Sequence, residues 1–322
     1  MSVSDAFAKF QKTVNAEPDA VSEARRRRDL FRGAFGQEAD VHEVVPSGSL
    51  ARGTQKDPIH DVDLVIVFDD EDHPDWGTPG SSAEDALNYT RGKVNELLGA
   101  THGSYDQVVR LARWRNHAVK CFFDDPEDET GFTVDAMPAL RRNGHFYIPE
   151  ASSKKWIECD PEALIRDVAN RHHSWNKFAG TIRMLKRWGA DQDIKIKSLV
   201  MEALALEHVP EGVNDQASAI KQFFVAAAYA IEGGEMVTDP AELCGPIQID
   251  LDYTEFATRL RQASTDASAA MAAQVNNDTS SAIAHWGKVF GPEFPPPPPS
   301  AGPAIPAAVP AGPRPVKDTP QG

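Results

Sequence analysis

Cysteine is scarce in this chain, three in 322 residues, and Cys121, Cys159 and Cys244 lack the paired spacing of a zinc site or a redox centre. They read as reduced packing residues. Long apolar runs are absent too: the longest, Phe223 to Ile231, has nine residues, against about 20 needed to cross a bilayer, so no membrane association is expected. The opening MSVSDAFAKFQK has no basic stretch leading into an apolar run. No secretory signal is therefore read, and the cytosol is the default compartment. Positive charge is in deficit, 33 Lys and Arg against 48 Asp and Glu, a net of −15. That argues against a chain that coats nucleic acid through bulk charge and leaves room only for a local basic site.

Proline is unevenly spread. The last 31 residues, Pro292 to Gly322, hold 12 of the 24 prolines, including Pro295 to Pro299. Such a segment stiffens into polyproline II and has little to bury, so 292–322 is expected to be a disordered tail and the folded part to end near Phe290. Phe7, Phe10 and Val14, then Leu30 and Phe31, fit a long helical region broken near Pro18, which carries the run Arg25 to Arg28. That run reads as a solvated helix face balanced by Glu23 and Asp29, with an activator-binding basic strip as the alternative.

Short stretches rich in Val, Ile and Phe predict strands at Val41 to Val45, Asp61 to Phe68, Ala118 to Phe123 and Phe132 to Met137. The last two flank the turn-prone DDPEDETG and predict a hairpin. Ser82 with Asp85 resembles a capping box opening a helix to about Leu98. After Pro149 the character changes. Asp160-Pro161 is a helix start and the chain to Trp286 reads as mostly helical. Strands before and helices after predict two lobes with a site in the cleft between them.

The chemistry concentrates in Pro46 to Phe68, PSGSLARGTQKDPIHDVDLVIVF. Asp61 and Asp63, two apart at the start of a strand, leave the same face and repel each other. A hard cation relieves that repulsion, and Mg²⁺ is commonly held by one or two carboxylates plus substrate phosphates. Upstream, the small Gly48-Ser49 lets backbone amides and a hydroxyl approach a phosphate, and Gly53-Thr54 closes the turn. Asp135, in the strand Phe132 to Met137, completes a three-carboxylate site for two metal ions if that strand lies beside the first pair.

GSLARGT followed by DVDLVIV resembles the signature of the polymerase-β-like nucleotidyltransferases and, more narrowly, of the bacterial cGAS/DncV-like nucleotidyltransferases, the CD-NTases. TIRMLKRW resembles that family's LLKxW-type helix, whose lysine contacts the donor triphosphate; the resemblance gives that role to Lys186. IKSLVMEAL resembles its SYxLE-type segment, where a serine reaches the terminal phosphates; that serine is Ser198, and position 199 is Leu where the family often has Tyr. HWGKVFGPEFP is similar to the family's closing signature.

The resemblance implies an α+β fold: a nucleotidyltransferase lobe with a mixed sheet at 1–159, including the long N-terminal helix, and a helical lobe at 160–291. It implies an enzyme with two ions, Mg²⁺ or Mn²⁺, on Asp61, Asp63 and Asp135. Gly48, Ser49, Lys186 and Ser198 would hold the nucleotide. The reaction would join nucleoside triphosphates into a cyclic or short linear oligonucleotide, with pyrophosphate release, as a second messenger in anti-phage defence. It also raises an effector or ubiquitin-transfer-like partner acting on the tail that ends at Gly322, against a plain terminus with no partner. Two other readings remain at this point. One is nucleotidyl transfer to an RNA 3′ end or a small molecule such as an aminoglycoside; the other is a silent nucleotide-binding module. A nucleic-acid activator is left open but not indicated.

Overall fold

The computed structural model describes residues 1–99, 108–125, 127 and 131–298. Among these, seven strands form one mixed sheet. Strand β2 (Asp61–Phe68) lies at its heart because its sequence is apolar on both sides. Val62, Leu64 and Ile66 enter a core under one face, while Val65 and Val67 enter a smaller core on the other. Each such side chain contributes roughly 1.5–3 kcal/mol of burial. The path is β1-β2-β5-β4-β3, with β1 (Val41–Ser47), β3 (Leu111–Trp114), β4 (Val119–Phe122) and β5 (Thr133–Arg142). Only β2 and β5 run parallel; the other neighbours on the path are antiparallel. The expected hairpin is β4 with β5, Phe122 facing Thr133.

Three strands escaped the sequence pattern: β3, β6 (His145–Glu150) and β7 (Lys155–Cys159). The last two pair with each other and, through β6, with the far end of β5. Pro149 inside β6 and the mixed polarity of KWIEC in β7 hide the period-two pattern on which strand recognition rests.

Helices α1 (Val3–Val14) and α2 (Pro18–Phe35) are separated at Pro18 as the sequence predicts, yet they serve different cores. The expected first lobe, 1–159, includes α1, but Phe7 and Phe10 pack against Trp286, Phe290 and Phe294 at the other end of the chain. An amphipathic helix goes where its apolar face finds a partner, not where its place in sequence puts it. The same cluster corrects the expected end of the fold. Phe294 is 3% exposed, so the ordered core runs four residues beyond Phe290.

Of the Arg25–Arg28 run, Arg26 pairs with Glu23 and Arg28 with Asp29, as a solvated face should. Arg27 turns inward: it donates to the Phe132 carbonyl (2.6 Å) and Asp124 (2.9 Å) and lies over the Phe132 ring. It ties α2 to the start of β5. Helix α4 (Ser82–Leu97) has no capping box, because Ser82 is already its first residue and its hydroxyl donates to the Thr78 carbonyl. A capping box does open α1, between Ser2 and Asp5.

The remaining helices form the second core: α5 (Pro161–Ser174), α6 (Phe178–Ala190), α7 (Ser198–His208), α8 (Gln216–Glu232), α9 (Tyr253–Val275) and α10 (Thr279–Phe290). Among the described residues no helix is long and apolar enough to cross a membrane. The nine-residue apolar run lies within α8, buried mostly against its helical neighbours. Trp188 is a packing residue, edge-on to Phe224.

Candidate active site

Asp61 and Asp63 open β2 and leave the sheet on one face, while Asp135 on β5 stands in register with Asp63. One carboxylate oxygen from each of the three lies within 4.8 Å of the others, the one such group of metal-ligand side chains among the described residues. Histidine takes no part in it. His60 shapes the turn instead, its carbonyl accepting the Thr133 N–H at 3.1 Å.

The electrostatics of the trio follow from that proximity. Burial, with the charges of Asp61 and Asp135, pushes the Asp63 carboxyl up to about 7. Burial also raises Asp135, to about 6, with Asp61 adding to the rise and Lys120, 3.7 Å away, opposing it. Carboxyls that resist ionising because they crowd one another are a donor set short of a cation. A hard divalent ion therefore fits these residues.

The expected loop at Gly48 is a five-residue helix, α3 (Gly48–Arg52), closed by Gly53 at φ +66°. Gly48 itself sits at φ +68° and is pressed against Asp63. Six of the seven expected site residues, Gly48, Ser49, Asp61, Asp63, Lys186 and Ser198, line one cavity of about 450 Å³. The seventh, Asp135, adjoins it through Asp63. Leu199, the departure from the family pattern, also lines the cavity, with Met137, Ile148 and Leu164 extending an apolar wall suited to a flat ring.

Among the cavity residues not singled out in the sequence, Glu202 and Arg52 carry its main charge pairing. Glu202 on α7 is fully buried, accepting from Lys186 Nζ at 2.7 Å and from Arg52 Nε at 2.7 Å. Burial alone would raise its carboxyl, but Lys186 and Arg52 overcome that and hold it at about 2. Lys186 also donates to the Thr54 carbonyl (3.1 Å), and Arg183, one turn earlier on α6, donates to the Gly53 carbonyl (2.6 Å). The helical side thus grips the turn that follows α3. A lone acid within LVMEALAL was the available signal, since an unpaired carboxylate rarely survives in an apolar run. Two acceptors, Thr54 Oγ1 and Gln55 Oε1, are buried there without a partner.

Paired carboxylates on one strand, a third in register on its parallel neighbour, and a cleft roofed by helices define a polymerase-β-like nucleotidyltransferase. A family model described as Second Messenger Oligonucleotide or Dinucleotide Synthetase domain, SMODS, matches residues 1–171. The chain belongs to that family and is a bacterial CD-NTase. It is 24% identical, over 89% of this chain and 95% of the other, to a probable cyclic nucleotide synthase of Bacillus cereus (strain VD146). Its fold matches that of Escherichia coli MS115-1 CdnC solved with ATP, at TM-score 0.69 and 18% identity, over 92% of this chain and 99% of that one. It matches the same protein in its complex with HORMA-deltaN at TM-score 0.67 and 17% identity, over 91% and 98%.

Proposed function

We propose that this enzyme joins nucleoside triphosphates into a cyclic or short linear oligonucleotide, releasing pyrophosphate, as a second messenger of anti-phage defence. The observation that carries the reading is the trio of carboxylates, one oxygen of each within 4.8 Å of the others, beside a 450 Å³ cavity of mixed apolar and polar lining. Asp61, Asp63 and Asp135 would hold Mg²⁺ or Mn²⁺, two ions in the full site, which supply Lewis-acid charge for phosphoryl chemistry when bound.

The rest of the work belongs to side chains. Gly48 and Ser49 admit the donor phosphates close to the backbone, and Ser198 adds a hydroxyl from the opposite wall. Lys186 has three ammonium donors and spends two on Glu202 and Thr54, so one remains for a triphosphate oxygen. Asp135, with its carboxyl near 6, is a carboxylate at neutral pH and basic enough to take the proton of an attacking 3′- or 2′-hydroxyl. The division into a nucleotidyltransferase lobe and a helical lobe is part of this reading, with α1 assigned to the second. The relative solved with HORMA-deltaN supports a protein partner here also; the expected modification at Gly322 lies outside the described residues.

The test is incubation of the protein with four labelled ribonucleoside triphosphates and Mg²⁺ or Mn²⁺, then phosphatase and mass spectrometry. Asp61→Asn with Asp63→Asn is the control. A phosphatase-resistant product that needs the aspartates and no RNA supports messenger synthesis. Product only with added RNA or an aminoglycoside moves the enzyme to another acceptor, and nucleotide binding without turnover makes it a silent module.

A further inference from the structure

The cavity reaches only one side of the carboxylates. Its sheet wall ends on β5, β6 and β7, at Met137, Ile148 and Cys159, and no residue of β3 or β4 lines it. The row of side chains that contains the aspartates nevertheless runs on. In register across five strands stand Ser47, Asp63, Asp135, Lys120 and Arg113. Residues in register on neighbouring strands share a face. Arg115 lies one residue past the end of β3, where its N–H donates to the Ala118 carbonyl at 2.7 Å and so prolongs the pairing of β3 with β4 beyond Arg113. Lys120 reaches within 3.7 Å of Asp135, and Arg113 and Arg115 are exposed. The other face of this hairpin, Ala112, Val119 and Cys121, is buried in the sheet core.

Between residues 110 and 122 the chain carries four Arg or Lys and no acid, although acids outnumber bases 48 to 33 overall. Cations on an edge strand often only discourage edge-to-edge pairing. Here they stand in the same row as the aspartates and begin where the cavity stops. Phosphoryl transfer places the attacking hydroxyl opposite the leaving pyrophosphate. With the donor triphosphate among α3, α6 and α7, the acceptor has to approach over β4 and β3.

We propose that Arg113 and Arg115, beside Lys120, bind the phosphates of the acceptor nucleotide. This rests on the reading of the enzyme as one that joins nucleotides. In the step itself the acceptor hydroxyl oxygen bonds to the donor α-phosphorus and its proton passes to Asp135. The bond from that phosphorus to the bridging oxygen breaks, and its electron pair leaves with pyrophosphate. An acceptor without phosphates, or a cationic one, gains nothing from this surface.

The experiment separates the two substrates. A 2′,3′-dideoxynucleoside triphosphate serves as donor only, and an α,β-methylene nucleoside triphosphate as acceptor only, with the matching unphosphorylated nucleoside as rival acceptor. Wild type should prefer the phosphorylated acceptor, on the order of a hundredfold in kcat/KM. Arg113→Ser with Arg115→Ser should cut that preference at least roughly tenfold through acceptor KM, with donor KM unchanged. The Lys pair at both positions should restore part of it.

Retained preference in the Ser pair, or equal loss for donor and acceptor, overturns the proposal. So does a wild type that ignores acceptor phosphates, a result that needs no variant to fold. A Ser pair that loses only affinity for a labelled RNA oligonucleotide makes the strip an RNA surface instead. If wild type forms no Asp61-dependent product from any nucleotide pair, it is nucleotide joining itself that fails, a different result from joining that is indifferent to Arg113 and Arg115.

Discussion

Gly48 and Asp63 are in such close approach that a Cβ atom at position 48 would stand 2.8 Å from the Asp63 Cβ and closer still to its carboxylate. Gly48 also has φ +68°, a conformation that side chains other than glycine rarely adopt. The glycine is what lets α3 begin directly over the aspartates. Gly48→Ala is expected to push Asp63 out of register with its neighbours and lower kcat roughly a hundredfold, as small misplacements of reacting groups do. Steady-state kinetics alongside circular dichroism checks this, and near-normal turnover would remove the close approach from the account.

Asp63 links the site to stability. Its folded carboxyl is held at about 7, above the ordinary 3.8, by burial and the neighbouring aspartates. The folded protein therefore keeps a proton that the unfolded chain releases. The stability this gives is present below about pH 3.8 and lost as pH rises through 7. Without divalent ions, wild type should melt at lower temperature at pH 8 than at pH 5 relative to Asp63→Asn, which cannot ionise. Added Mg²⁺ at pH 8 should raise the wild-type Tm by about 2 °C or more and leave the variant little changed. Parallel pH profiles for the two proteins would refute the crowding of charge.

Glu202 is the buried anion that neutralises Lys186 and Arg52 at once. Replacing it by Gln leaves two cations uncompensated in the interior, so Glu202→Gln should lose about 3 kcal/mol at pH 7 in urea unfolding. Its folded carboxyl lies near 2, below the ordinary 4.5. The difference between wild type and variant should thus be full above pH 4.5 and shrink as pH falls toward 2. Lys186→Met in the same background should recover part of the loss, because one of the orphaned charges is gone.

The end of the core can be found by truncation. Phe294 packs edge-on to Phe7 at 5.3 Å between ring centroids and near Phe10 at 5.4 Å. Phe294→Ala should cost about 3 kcal/mol, as removal of a buried ring does. Deleting residues 296–322 should leave basal turnover and Tm essentially unchanged. A drop in either on that deletion would assign the proline-rich segment a structural role.

The strands that carry the aspartates were legible because period-two alternation, apolar continuity and turn residues are local properties, and so was the pairing of Asp61 with Asp63. The capping box at Ser82 was misread since a Ser-x-x-Asp pattern does not say where the preceding backbone turns. Cys159 and Cys244, far apart in the chain, line one cavity, and no spacing announces that. Arg27 looked like its neighbours in a basic run, although it alone turns inward.

Residue order was enough to single out the three aspartates, the alternation of strands and helices and the family resemblance, because motif spacing and hydrophobic period act over a few residues. Only the folded chain decided that Asp135 stands in register with Asp63, that Glu202 sits between Arg52 and Lys186, and that Lys120 and Arg113 extend the row of aspartates. Those relationships join residues separated by up to 150 positions. They arise from strand pairing and helix packing, which bury apolar surface first and bring the polar groups together as a consequence.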